Sequence, residues 1–97
     1  MIRFLKTFAN SKLRLFCNES YSIELFFILL SNNKSKFGVD EIYNKITLPK
    51  PKKSTVDGFI KFLVDKGFVE IIQNKDKRKK TLVLTKKSIF EYEKLKL

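Results

Sequence analysis

The chain has no histidine and a single cysteine, Cys17, among its 97 residues. Zinc sites of the usual ligand type need several Cys or His, so none can be assembled, and one Cys excludes an intrachain disulfide. Without His the commonest general base is missing, and no Ser or Cys has an activating partner in view. The chain is therefore expected not to be an enzyme and to carry no metal or cofactor. Cys17 reads as packing filler, since only Arg14 nearby would favour its thiolate; a redox sensor between subunits is the competing reading. Long apolar runs are missing too. The longest, Ile23 to Leu30, contains Glu24, whereas a membrane span needs about 20 apolar residues. The segment up to Phe16 is interrupted by Lys12 and Arg14 and resembles no signal peptide. A soluble, cytoplasmic protein with no membrane partner is the expectation.

Acidic residues are also few, 10 against 21 Lys and Arg, for a formal charge of +11. Ten Phe, with many Ile, Leu and Val, supply enough apolar surface to fold, so disorder is not expected. The length fits one domain with a modest core, spanning residues 1–97. Such a charge excess calls for a polyanionic partner, nucleic acid before an acidic membrane face.

Spacing along the chain predicts mostly helices. Phe4, Leu5, Phe8, Leu13 and Phe16 recur at helical intervals between basic residues, which predicts a first amphipathic helix over 2–16. Tyr21 to Leu30 is apolar almost all round; a central buried helix and a buried strand both fit so short a run. Ser31 to Lys36 reads as a loop. Val39, Ile42, Tyr43 and Ile46 then make a short helix with Asp40 and Glu41 in its first turn. Pro49 and Pro51 end it. Ser54 with Asp57 resembles a capping box, Gly67 is placed as a C-cap, and between them Val56, Phe59, Ile60, Leu63 and Val64 form one apolar stripe. Phe68 to Gln73 and Thr81 to Leu84 are β-prone runs joined by a basic connection, a predicted hairpin. Thr85 can cap a last helix carrying Ile89, Phe90, Tyr92, Leu95 and Leu97. The fold class is thus mainly α with a small β-hairpin (α+β).

Helix, turn, capped helix and basic hairpin, in that order, predict a winged helix-turn-helix over residues 39–85 with an extra helix at each terminus, 1–17 and 86–97. A reading helix needs one face packed on the domain and another carrying short polar or basic groups that reach base edges. Opposite the stripe lie Ser54, Gly58 and Lys61, with Thr55 and Asp57 flanking and Lys52 and Lys53 at the entrance. Bare Gly58 permits either close approach to DNA or close packing of another helix. Phe62 lies off the stripe, half exposed or packed on the wing. Lys75, Lys77, Arg78, Lys79 and Lys80 crowd the hairpin, a charge array suited to phosphates or a narrow minor groove. Residues 45–87 hold 13 basic and 4 acidic side chains, most of the excess.

The run Ser54-Thr55-Val56 through Leu63, Lys66-Gly67-Phe68-Val69, then Asp76-Lys77-Arg78 and Leu84-Thr85, resembles the pattern of the MarR family of regulators over residues 39–88. The resemblance implies that Ser54, Thr55, Asp57 and Gly58 read bases, and that Asp76 and Arg78 belong to the wing, with the Arg in the minor groove. The departures are Lys50-Pro51-Lys52-Lys53, which lengthens the turn, and Ser88 where the family usually has Gly. Members interlock their terminal helices as dimers. By that likeness, and because both terminal helices carry apolar residues in need of cover, Phe4, Leu5, Phe8, Leu13, Phe16, Ile89, Phe90 and Tyr92 are the expected homodimer interface. The expected function is a sequence-specific double-stranded DNA-binding dimer, a nucleoid-associated transcriptional regulator. The alternatives are a centromere-binding adaptor of a plasmid or phage segregation system, with a filament-forming partner, and a general basic nucleic-acid-binding domain.

Overall fold

The computed structural model describes residues 2–32, 37–73 and 80–96, with side chains from residue 6 to residue 95 of those stretches. The described chain is mainly helical with one small antiparallel sheet. Its elements are α1 (Ile2–Ala9), a 3-10 segment (Lys12–Cys17), α2 (Ser20–Asn32), α3 (Val39–Lys45), α4 (Lys53–Asp65), β1 (Val69–Gln73), β2 (Lys80–Leu84) and α5 (Lys86–Lys96). No helix among the described residues is long and apolar enough to cross a membrane.

The single helix expected over residues 2–16 is divided in two. Ser11 has an extended backbone, and its hydroxyl donates to the Phe8 carbonyl (2.6 Å) and accepts from the Leu13 N–H (3.0 Å). A side chain that offers the backbone these local partners competes with helix continuation, so α1 stops and a new turn starts.

α2 is the axis of the molecule, and of the two readings left open for it the helix is the one observed. Tyr21, Ser22, Leu25, Phe26, Leu29 and Asn32 are all buried. The Phe26 ring meets Phe16 at 5.0 Å, Phe8 at 5.2 Å and Tyr92 at 5.4 Å, so one side chain gathers the N-terminal segment and α5. Phe8, Leu13 and Phe16 are at most 1% exposed within the chain itself. This corrects their assignment to a subunit interface: the terminal elements fold back on α2 and find their cover there. Ile89 and Tyr92 are partly buried against the same core. Phe90 alone of the named interface residues stands out, 61% exposed. Phe4 and Leu5 lie outside the described side chains.

The capping box expected at Ser54 and Asp57 is absent. α4 begins at Lys53 after an extended Lys52 that makes no side-chain cap, so Ser54 lies inside the first turn and Asp57 is turned to Lys53 instead. The other end is as expected. Gly67 has φ +82°, its N–H donates to the Val64 carbonyl at 3.0 Å, and the Phe68 N–H reaches back to Leu63 at 2.9 Å. These two bonds make a Schellman close, which only a residue free of a Cβ enters without strain.

β1 starts at Val69 and β2 at Lys80, each within a residue of the expected run, and they pair from Val69 opposite Leu84 to Gln73 opposite Lys80. A two-stranded hairpin alone is marginal in water. Here β2 gains a partner on its other edge, where the Leu82 N–H donates to the Phe37 carbonyl at 3.3 Å. Asn32, 2% exposed, holds this junction. Its Nδ2 donates to the carbonyls of Leu82 (2.6 Å) and Phe37 (3.0 Å), and its Oδ1 accepts from the Phe37 N–H (3.1 Å). Gly38 follows because a Cβ there would lie 2.8 Å from the Lys80 carbonyl oxygen. Thr85 caps α5 through the Ser88 N–H (3.3 Å). Ser88 is fully buried, and its hydroxyl donates to the Phe68 carbonyl at 2.7 Å.

Two sets of variants test this packing. Asn32→Ala orphans polar groups of Phe37 and Leu82, each worth about 1–3 kcal/mol, and Gly38→Ala forces backbone apart; urea melts should show both destabilised by at least about 2 kcal/mol. Phe8→Ala should cost about 3–5 kcal/mol as a core truncation, while Phe90→Ala should stay within about 0.5 kcal/mol as a surface change in the monomer. Equal costs would overturn the placement of α1 in the core.

Candidate nucleic-acid interface

The turn between α3 and α4 spans residues 46–52, long for its kind, and three side chains order it. Glu24 on α2 accepts from the backbone N–H groups of Thr47 (2.8 Å) and Leu48 (2.9 Å) and from the Thr47 hydroxyl. Lys50 donates to the carbonyls of Tyr43 (2.7 Å) and Ile46 (3.1 Å), closing the C-terminus of α3 where a cation is favoured. Tyr43 donates its hydroxyl to the Pro51 carbonyl at 3.0 Å. Burial pushes the Glu24 carboxyl upward, but the Thr47 hydroxyl, the Leu48 and Thr47 amides and the nearby Lys50 charge outweigh it, and the net shift is below the usual carboxylate range.

α4 turns Val56, Ile60 and Leu63 into the core, so at 3.6 residues per turn its outward line runs through Ser54, Gly58 and Lys61. All three are exposed, as are Lys52 and Thr55. A Cβ on Gly58 would meet nothing within 4 Å. No described helix of this chain packs there, so of the two readings of Gly58, packing of another helix within the chain is set aside.

Lys53 is placed otherwise than expected. Its ammonium lies 2.7 Å from the Asp40 carboxylate and 3.1 Å from that of Asp57, and these hydrogen bonds raise it above the ordinary lysine value. It straps the first turn of α3 to the first turn of α4. Asp57 is half buried and directed at this strap, so neither residue is aimed outward; its second oxygen, Oδ1, has no hydrogen-bond partner among the described residues. Lys53 and Asp57 are therefore positioning groups for α4.

Of the basic hairpin residues, Lys80 is described and exposed at the base of β2, opposite Gln73. Lys75, Lys77, Arg78 and Lys79 lie outside the described residues. α4 packs on β1, and Lys61 of α4 lines a shallow groove together with Ile71 of β1, which brings the C-terminal part of the outward line beside the hairpin. Phe62, 39% exposed, faces the N-terminal segment, where it lines a groove with Lys12, Arg14 and Lys66. Cys17 is half buried, and burial pushes its thiol up, away from a reactive thiolate.

Sequence reasoning missed the residues that hold this face in place: Glu24, Asn32, Asp40 and Lys50. Glu24 did leave a signal, since a carboxylate inside an apolar run must find partners when it is covered. Asn32 left none. Compared with family models, curated proteins and solved structures, the chain matches none.

Gly58→Ala should raise stability by roughly 0.5–1 kcal/mol, because Ala is the better helix former and space is free. The same change should weaken binding of any duplex that approaches α4 closely; unchanged binding would remove Gly58 from the contact surface. Glu24 should make stability pH-dependent. Its folded value is depressed, so its contribution is present above about pH 4.3, the unfolded value, and is lost as the pH falls through the folded one. The stability gap between the natural chain and Glu24→Gln should therefore be wider at neutral pH than in acid. A gap independent of pH would mean that the charge does not hold the turn.

Proposed function

We propose that the chain is a sequence-specific double-stranded DNA-binding protein of winged helix-turn-helix architecture that acts as a homodimer in transcription regulation. The observation that carries this reading is the outward line of α4, Ser54, Gly58 and Lys61, exposed and free of contact at its centre, next to a hairpin whose connection is rich in Lys. Short side chains around a bare glycine let a helix approach base edges in a major groove, and Lys61 is long enough to reach an acceptor pair. The basic hairpin would lie along the flanking backbone, with Arg78 in the minor groove, where its width is sensed. The resemblance of residues 39–88 to the MarR pattern supports the same assignment.

Helix and hairpin divide the work. Phosphate contacts carry no sequence information, whereas base contacts do. After selection of a preferred duplex from a random pool, Thr55→Ala and Lys61→Ala should weaken that duplex by about 1–3 kcal/mol and leave random DNA nearly unchanged. Lys77→Ala, Lys79→Ala and Lys80→Ala should weaken both alike and lower the salt slope by about 1 each. If every variant loses the same affinity on both duplexes, the α4 assignment fails and a sequence-tolerant coating protein is the better account.

With Phe8, Leu13 and Phe16 in the core, the dimer rests on narrower ground. Phe90 on α5 is the largest exposed apolar group there. Sedimentation at micromolar concentration should give twice the chain mass, and Phe90→Glu should give a folded monomer. A natural chain that sediments as a monomer would refute the dimer.

A further inference from the structure

Beside the C-terminal end of α4 lies a second basic feature, a groove of about 590 Å3 between the 3-10 segment, that end of α4 and the start of α5. Its cations are Lys12, Arg14, Lys66 and Lys87, and no carboxylate lines it. Its floor is aromatic: Phe68 is buried and Phe62 is half exposed. Among the described residues Arg14, Lys66 and Lys87 form no ion pair, and Lys12 meets Glu91 only at 3.8 Å. The ammonium of Lys87 lies 4.7 Å from the centre of the Phe68 ring, and that of Lys66 lies 5.7 Å from Phe62, near the outer limit of such contacts.

We propose that this groove binds a nucleoside polyphosphate, its base stacked on Phe62 and its phosphates among Arg14, Lys66 and Lys87. Three considerations select that class of ligand. Like charges gathered without counter-charge repel one another, and a monoanion would leave most of that repulsion in place; a di- or triphosphate neutralises it. A duplex backbone needs flexible cations on an open surface and no aromatic floor, whereas a planar base does need one. The volume lies within the ~300–1,000 Å3 of small-molecule sites. The loose Lys66 contact yields the Phe62 face to a base, and its ammonium is then free to meet phosphate. Because Phe62 belongs to α4 and Lys66 caps its C-terminus, occupancy would bear directly on the helix proposed to read DNA. The groove does not depend on that proposal, and it is tested without DNA.

Isothermal titration of the intact chain, in magnesium-free buffer, with ATP, adenosine and inorganic triphosphate tests the assignment. ATP should bind once per chain, with adenosine and triphosphate each at least about tenfold weaker, since stacking and charge contribute separately. Phe62→Ala should weaken ATP by about tenfold and leave triphosphate unchanged. Arg14→Ala and Lys87→Ala should weaken both by about tenfold. All three side chains are on the surface or its edge, and thermal melts of each variant should match the natural chain. No ATP binding, or triphosphate binding as tightly as ATP with no effect of Phe62→Ala, overturns the proposal; the second result would mark a surface for polyanions in general, duplex phosphates included.

Discussion

A single buried carboxamide organises this molecule. Asn32 ends α2, and its side chain makes bonds to Phe37 and to Leu82, fifty residues on. A buried amide with both ends satisfied gains from the low dielectric around it, and any partner left alone there would lose the same protection. The consequence is geometric. The hairpin cannot swing on β1 alone, because β2 is bonded on its other edge to the segment that leads into α3, at a place where Gly38 leaves room for the Lys80 carbonyl.

Glu24 does at one end of α2 what Asn32 does at the other. The two lie eight residues apart, roughly 12 Å along a helix axis. One holds the turn ahead of α4 through Thr47 and Leu48, and the other holds β2. α2 is itself locked by Phe26 between Phe8, Phe16 and Tyr92. Buried α2 thus couples the placement of the exposed face of α4 to that of the hairpin. The Lys53 strap to Asp40 and Asp57 adds the remaining restraint, between α3 and α4. It lies on the surface, where such pairs contribute little to stability; its effect is on orientation.

The described basic side chains do not all serve one end. Lys50 and Lys53 are engaged with carbonyls and carboxylates of the chain and serve its geometry. Lys52, Lys61 and Lys80 are exposed on α4, its entrance and the hairpin, while Arg14, Lys66 and Lys87 gather in the groove beside the end of α4. Among the described cations there are thus some that serve the chain's own geometry and others on two surfaces of different chemistry, one open and one concave with an aromatic floor.

Local signals carried much of this into the sequence. The apolar stripe of α4 and Gly67 at its end, the acids opening α3, the Thr85 cap and the two β runs all act through neighbours a few residues away, and such spacing survives in a linear string; α3 itself ends at Lys45, with Ile46 already extended, before either proline can act on it. The break at Ser11, the true start of α4 and the fate of Phe8, Leu13 and Phe16 did not. An amphipathic segment shows only that it needs cover, and whether its own chain or a second copy provides the cover depends on where α2 and α5 come to rest. The roles of Asn32, Glu24 and Lys53 are of the same sort: each polar group is defined by partners brought to it by the fold, and a sequence records the group without the partner. Composition and periodicity therefore determined most of the element order, the mainly α class of fold and the excess of positive charge, while only tertiary packing decided that the Tyr21 to Leu30 run is a helix, which apolar residues are core, which cations the chain itself engages and which way α4 faces.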